Sequence, residues 1–390
     1  METTKNLTQT QEFIATEAVK WFNDEKAEQV FSYTGFAGTG KSFLVEEIIN
    51  RLGVKIEEVA FTAFTGKAAL VLTNKANGRY TATTIHRLCY ELDGEAGGPT
   101  FKLRPKETVT KKYKLIVVDE ASMVDGGIEE DLKSFGVKIL AIGDRGQLEP
   151  ASNGKPGTLL SNPIAELTEI HRQAQENPII YLSMLARQGK RIEPGKYGDT
   201  VIVLRKKDLT ANQKVALYKR ADQIICGYNK TRQAINSQVR KSLGFNPNSP
   251  QVGDKLICAK NNWTIDHKGY NLINGMTGYV RSIEPVKEDS DIKRAAYNVN
   301  FQPDFMEENE GFEGLLLLHD DFTNTKVQLE RDEYNLYERF DYGYAITCHK
   351  SQGSSWGNVV LFNEVLNAET HNRWLYTAIT RAEERLIIFI

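Results

Sequence analysis

The sequence is poor in cysteine. Four stand in 390 residues, Cys89, Cys226, Cys258 and Cys348, far apart and without a C-x-x-C pair, so neither a disulfide framework nor a clustered zinc site is expected. Long apolar runs are missing too: no stretch approaches the roughly 20 residues of a membrane span. The polar start METTKNLTQTQ lacks the apolar core of a signal peptide. A reducing cytoplasm without a membrane partner is the expected setting. Net charge is scarce, since 49 Lys and Arg against 51 Asp and Glu leave −2. That excludes a protein that holds polyanions by bulk charge and leaves room for a local basic groove. No short-period repeat appears, which excludes a solenoid. What remains is an ordinary globular composition, 41% hydrophobic and 26% charged, at a length that calls for two main domains plus insertions.

Against this background GFAGTGKS, residues 35–42, fits the phosphate-binding pattern G-x-x-x-x-G-K-[S/T] without a mismatch. Glu28 to Thr34 reads as a buried strand and Phe43 to Leu52 as a helix, the setting the pattern requires. Gly35, Gly38 and Gly40, with Ala37 and Thr39 between them, let the backbone turn its N–H groups toward phosphate oxygens at a helix N-terminus. Lys41 adds a cation and Ser42 a hydroxyl for Mg²⁺. Alone, such a loop is also compatible with a tight strand-to-helix connection.

Two further apolar strands end in chemistry. Leu115 to Glu120, LIVVDE, brings Asp119 toward a metal ion, through water if the ion keeps its hydration, and Glu120 toward an attacking water. Lys138 to Ile142 runs into GDRGQLEP, which puts Asp144 and Gln147 at the same carboxyl edge, Gln147 within reach of a γ-phosphate. Short apolar strands at Val59 to Thr62, Leu115 to Asp119 and Val137 to Ile142 alternate with helices, as in a parallel sheet. Glu91 to Lys114 interrupts them with GEAGGPTF and a basic run, Lys102, Arg104, Lys106, Lys111, Lys112 and Lys114, and reads as an inserted hairpin. A second α/β alternation begins near Ile164, has a strand at Gln223 to Tyr228 and a helix at Thr231 to Ser242, and resumes at Tyr342. Val252 to Glu333 has short strand-like runs broken by Gly, Asn and Pro, as in a small β-barrel.

Taken in order, these segments resemble a superfamily 1 DNA helicase of the RecD/Dda type, in a compact phage-like form. LTQTQ at Leu7 to Gln11 resembles the Q motif, GFAGTGKS motif I, TAFTGKAA at Thr62 to Ala69 motif Ia, and TIHRL at Thr84 to Leu88 motif Ib. VVDEASM resembles motif II and GDRGQLEP motif III. LTEIHRQ at Leu167 to Gln173, TCHKSQG at Thr347 to Gly353 and YTAITRA at Tyr376 to Ala382 resemble motifs IV, V and VI.

The resemblance implies an α/β fold of two RecA-like P-loop domains, residues 1–165 and residues 166–251 with 334–390. It adds an inserted β-hairpin pin at 88–114 and an SH3-like β-barrel at 252–333. It implies ATP and Mg²⁺ as cofactors, with Gln11 at the adenine, Gln352 and Gly353 at the nucleotide, and Arg172 and Arg381 as cations on the γ-phosphate. It further implies single-stranded and forked DNA as partners, held by Phe64, Thr65, Lys67, His86, Thr347, His349 and Lys350, with Phe101 as the wedge. The expected activity is ATP-driven, 5′-to-3′ unwinding by a monomer in a bacterial or phage-infected cytoplasm. Replication, recombination and repair are the settings, which admit a single-strand-binding or replisome partner.

Two departures bear on this. Phe64 and Glu149 stand where motifs Ia and III usually have proline. A translocating ATPase that remodels protein–DNA complexes without separating strands stays open, as do a non-enzymatic loader and an RNA substrate, since no residue here reads or rejects a 2′-hydroxyl.

Overall fold

The computed structural model describes residues 7–76, 78–93, 100–149, 155–170, 176–268, 270–287, 292–308, 310–323 and 327–390. The chain divides into two compact units, Met1–Ile192 with Glu369–Thr380, and Glu193–Ala368 with Arg381–Ile390.

In the first unit, strands β1 (Val30–Gly35), β2 (Val59–Ala63), β3 (Thr83–Thr84), β6 (Leu115–Asp119), β7 (Lys138–Gly143) and β8 (Glu166–Leu167) form one sheet of order β3-β2-β6-β7-β1-β8. Every neighbouring pair is parallel. Strands buried on both faces need near-continuous apolar runs, and LIVV and ILAI supply them. Successive side chains point to opposite faces, so Leu115, Val117, Leu140 and Ile142 join one core, while Ile116, Val118, Ile139 and Ala141 join the other. The first core also takes Ile14, Ala15, Ala18 and Trp21 of the helix Gln9–Asn23. A capping box between Thr8 and Gln11 starts that helix. Because the sheet is parallel, the loops after β1, β2, β3, β6 and β7 all leave from one edge, where ligands of such sheets bind.

A hairpin, β4 (Tyr90–Asp93) with β5 (Thr100–Leu103), leaves this unit in antiparallel register with Leu92 opposite Phe101. The basic stretch after it is not a simple loop. Arg104 N–H returns to the Cys89 carbonyl at 2.8 Å, and a short helix, Lys106–Thr110, buries Val109 in the second core.

The second unit holds β9 (Gly195–Tyr197), β10 (Val201–Leu204), β11 (Gln223–Cys226), β19 (Ala345–Thr347), β20 (Trp356–Phe362) and β21 (Ala382–Phe389) in the order β19-β11-β20-β21-β10-β9. Only the β9–β10 pair is antiparallel. Between β11 and β19 the chain builds a five-stranded antiparallel sheet from β12 (Lys255–Cys258), β15 (Thr277–Val286), β16 (Ala296–Pro303), β17 (Phe312–Leu318) and β18 (Phe340–Tyr342). A two-stranded hairpin, β13 (Asn262–His267) and β14 (Tyr270–Leu272), accompanies it. All four cysteines are buried and unbridged. Among the described residues, no helix is long and apolar enough to cross a membrane.

Candidate nucleotide and nucleic-acid site

The loop after β1 has the backbone its sequence calls for. Gly38 and Gly40 lie at φ 78° and 81°, the left-handed region that glycine enters without a Cβ clash. At Gly35 a Cβ would stand 2.8 Å from both the Leu167 Cβ and the Thr39 Oγ1, so only glycine fits. Thr39 Oγ1 donates to the Phe36 carbonyl at 2.8 Å. Lys41 Nζ donates to the Gly35 and Phe36 carbonyls at 2.8 and 3.1 Å, a resting place from which a phosphate oxygen can draw it. Lys41 also begins the helix Lys41–Leu52, with the half-buried Ser42 next to it. Gln11 is 1% exposed, and its Nε2 donates to the Thr39 carbonyl at 3.2 Å, which brings the Q-motif segment to the loop. The curvature, the missing Cβ atoms and the cation at a helix start fit a phosphate chain.

The acids stand at the same sheet edge. Asp119 ends β6, and its Oδ1 accepts the Glu120 N–H at 3.0 Å. Glu120 itself lies at φ 51°, ψ 40°, a left-handed conformation that costs a non-glycine residue about 1–3 kcal/mol and clusters at functional sites. The turn Ala121–Met123 behind it has both ends buried, which fixes the geometry. Asp144, 1% exposed, follows β7. Its carboxylate accepts from the Gly146 N–H at 2.8 Å and from the Tyr376 hydroxyl at 2.5 Å. Burial, and then the Asp144 charge, push the Tyr376 phenol well above its usual range, so it stays a neutral donor. Its oxygen in turn accepts the Ala37 N–H of the phosphate loop at 2.9 Å. Gln147 is buried in the Asp144 turn, and Leu148 N–H donates to Thr377 Oγ1 at 2.8 Å. The helix His371–Ile379 is thereby tied to the turn after β7, inside the first unit.

The residues of this unit expected at DNA have the following places in the local structure. Thr65 caps the helix Gly66–Lys75 through a bond from the Ala68 N–H. The half-buried Phe64 packs on the second core, and its ring meets His86 edge-on at 6.1 Å. His86 lies 5.8 Å from the Tyr90 ring. Burial holds the His86 imidazole below its usual range, with the Asp125 charge opposing. Lys67 is half-buried, and Phe101 on β5 is 40% exposed. Arg172 lies outside the described residues.

In the second unit, Thr347 ends β19, where the Cys348 N–H binds the Cys226 carbonyl of neighbouring β11 at 3.0 Å. The turn His349–Ser351 leads to buried Gln352 and to Gly353 at φ 69°. His349 is exposed and Lys350 half-buried. Burial, and then the Arg232 guanidinium, lower the Lys350 ammonium from its ordinary value, against Asp341. Arg381 is 5% exposed, and its Nη1 donates to the Ser354 carbonyl at 3.1 Å. Motif V and the motif VI arginine thus meet in one unit.

Residues 13–205 match the family described as AAA domain, and residues 342–389 match the UvrD-like helicase C-terminal domain. The ATP-dependent RecD2 DNA helicase of Deinococcus radiodurans is 31% identical over 90% of this chain. The chain is similar to superfamily 1 helicases of the RecD/Pif1 type.

The chain spans 46% of the RecD2 protein, and 36% of the uncharacterized protein MJ1519 of Methanocaldococcus jannaschii, to which it is 25% identical over 92% of its own length. Its fold is similar to the crystal structure of Pif1 helicase from Candida albicans, with a TM-score of 0.52 at 19% identity, covering 98% of this chain and 94% of that one. The two chains share an α/β fold with a RecA-like AAA domain. Two residues at the phosphate loop were not legible in the sequence motifs: Tyr376, and Arg187, whose guanidinium carbon lies 3.4 Å from the Phe36 ring centroid. No sequence signal ties either of them to the loop, because the contacts join segments far apart in the chain.

Proposed function

We propose that the chain hydrolyses ATP to move 5′ to 3′ along single-stranded DNA and to separate a forked duplex. The observation that carries this reading is the convergence, at one sheet edge, of a glycine loop shaped for phosphate, Lys41, and an acid pair whose second member is held left-handed. In this reading the amides of Gly38, Thr39 and Gly40 and the Lys41 ammonium bind the phosphates, Gln11 meets the adenine, and Ala37, Gln352 and Gly353 complete the nucleotide contacts. Ser42 and, through water, Asp119 would hold Mg²⁺, which would supply positive charge to offset that of the triphosphate. Glu120 takes the proton of the attacking water, Gln147 orients that water, and Arg172 and Arg381 stabilise charge on the transferring phosphoryl group.

Single-stranded DNA is assigned to Phe64, Thr65, Lys67 and His86 in the first unit and to Thr347, His349 and Lys350 in the second. Hydroxyls and cations suit phosphates, and rings suit bases. The β4–β5 hairpin serves as the pin, with Phe101 at the fork, and the antiparallel sheet within 252–333 as an SH3-like insertion. RecA-like domains bounded at 1–165 and at 166–251 with 334–390 complete the scheme. The similarity to the RecD2 helicase supports it, as does the fold shared with a Bacteroides Pif1 structure described as bound to ssDNA, with a TM-score of 0.52 at 18% identity, covering 98% of this chain and 92% of that one. The test is strand displacement from duplexes with a 5′ or a 3′ tail, in DNA and in RNA, with and without ATP. Unwinding from the 5′ DNA tail alone is expected. Unwinding from the 3′ tail alone contradicts the polarity, and ATP turnover without any displacement favours a remodelling translocase.

A further inference from the structure

Arg187 ends the helix Pro178–Arg187. A cation in the last turn of a helix usually answers the helix dipole from solvent, but this one lies over the Phe36 ring of the phosphate loop, its guanidinium carbon 3.4 Å from the ring centre. Its Nη1 is buried and, among the described residues, meets no hydrogen-bond acceptor. The carboxylate of the same cluster, Asp144, is taken up by the Tyr376 hydroxyl and the Gly146 N–H instead.

The surroundings hold the guanidinium where it is. Phe36 meets the Tyr376 ring edge-on at 6.4 Å, and a Cβ on Gly146 would come within 3.2 Å of both rings. Beyond the helix end, Gly189 lies at φ 65°, and a Cβ there would come within 2.8 Å of Asn372 Nδ2. A buried charged donor left unpaired costs more than a neutral one, so a built platform for it needs a partner that arrives.

The end of the loop decides which partner. Phe36 offers its ring to Arg187 and its carbonyl to Lys41 Nζ, and the lysine of such a loop reaches the β- and γ-phosphates. Gln11, which donates to the Thr39 carbonyl, is the residue that the proposed reading gives to the adenine. A guanidinium stacked on an aromatic face keeps its edge donors for planar, bidentate contact with phosphate oxygens.

We propose that Arg187 binds the terminal phosphate of the nucleoside triphosphate and lets the site tell tri- from diphosphate. The proposal rests on the reading of this loop as an ATP site. The test titrates the full chain with a fluorescent non-hydrolysable ATP analogue and with the matching ADP analogue, for wild type, Arg187→Ala and Arg187→Lys, and records the Tm of each without nucleotide. Arg187→Ala is expected to lose about tenfold in triphosphate affinity, to change diphosphate affinity less than twofold, and to keep its Tm. Arg187→Lys restores part of the loss, a charge without the fork. An unchanged preference in Arg187→Ala overturns the proposal, as does an equal loss for both nucleotides with a lowered Tm, which marks a structural role. Should Arg187→Ala fail to fold, Phe36→Leu removes the platform and must show the same selective loss, and an unchanged preference there overturns the proposal as well. A wild-type chain that binds neither nucleotide overturns the ATP reading itself, a different result from a wild type that binds both and variants that still discriminate.

Discussion

Glu120 occupies a left-handed conformation beside Asp119, and that strain has to be held by the buried turn after it. Glu120→Gln keeps the shape and removes the base. Its ATP turnover is expected to fall about 100- to 10,000-fold while analogue binding persists, and retained turnover would remove Glu120 from the mechanism. His86 supplies a pH dependence. Its folded pKa is lowered by burial, so as pH falls the unfolded chain takes up the proton first, near the ordinary histidine value of about 6.5. This contribution to stability is full above that pH and is lost as pH falls toward the folded value. Urea midpoints should therefore drop between about pH 7 and about pH 5, and the drop should shrink in His86→Gln. The phosphate loop and the acid pair were legible because each is a short contiguous string with a fixed backbone requirement. The sign of the Glu120 φ and the bond between Tyr376 and Asp144 were not, since one is a local strain that no residue type announces and the other joins distant segments.

At the scale of elements, the parallel strands at Val59 to Thr62, Leu115 to Asp119 and Val137 to Ile142 were legible in their unbroken apolar runs, to within a residue at each end, whereas short strands such as β3, β8 and β10 were not. The basic stretch after β5 was harder to read, because a single buried valine, Val109, turns a charged segment into an anchored helix. The hairpin in front of it carries a prediction. Phe101→Ala is expected to lower the ratio of strand displacement to ATP turnover several-fold, and an unchanged ratio would move the wedge elsewhere. In the second unit, the helix Asn229–Ser242 is pinned by Arg240, whose Nε and Nη2 donate to Asp254 at 2.9 and 3.0 Å with both side chains almost fully buried. Arg240 also donates to the Pro247 and Ser249 carbonyls, and the Tyr344 hydroxyl donates to Asp254. Removing one partner leaves a buried charge, so Arg240→Ala should destabilise the chain by about 3–5 kcal/mol, read as a loss in urea stability. A cost below about 1 kcal/mol would mean that the pair is solvated.

At the scale of the whole molecule, near-neutral net charge and two α/β alternations were legible from composition and pattern. The grouping of Glu369–Thr380 with the first unit was not, because it depends on which surface that helix finds. The second sheet has a further consequence in the living cell. Strand β10 sits between β21 and the short β9, with Val201 opposite Leu386, so its main partner is made roughly 180 residues later. At about 5–20 residues per second, a ribosome leaves VIVL with that edge open for roughly 10–40 s. The residues right after it, Arg205, Lys206 and Lys207, are of the kind that guards such a segment against pairing with another nascent chain. Replacing all three with serine should raise the insoluble fraction during synthesis while refolded protein keeps its Tm. The wait imposed by strand order is thus met by three cations at the end of the strand.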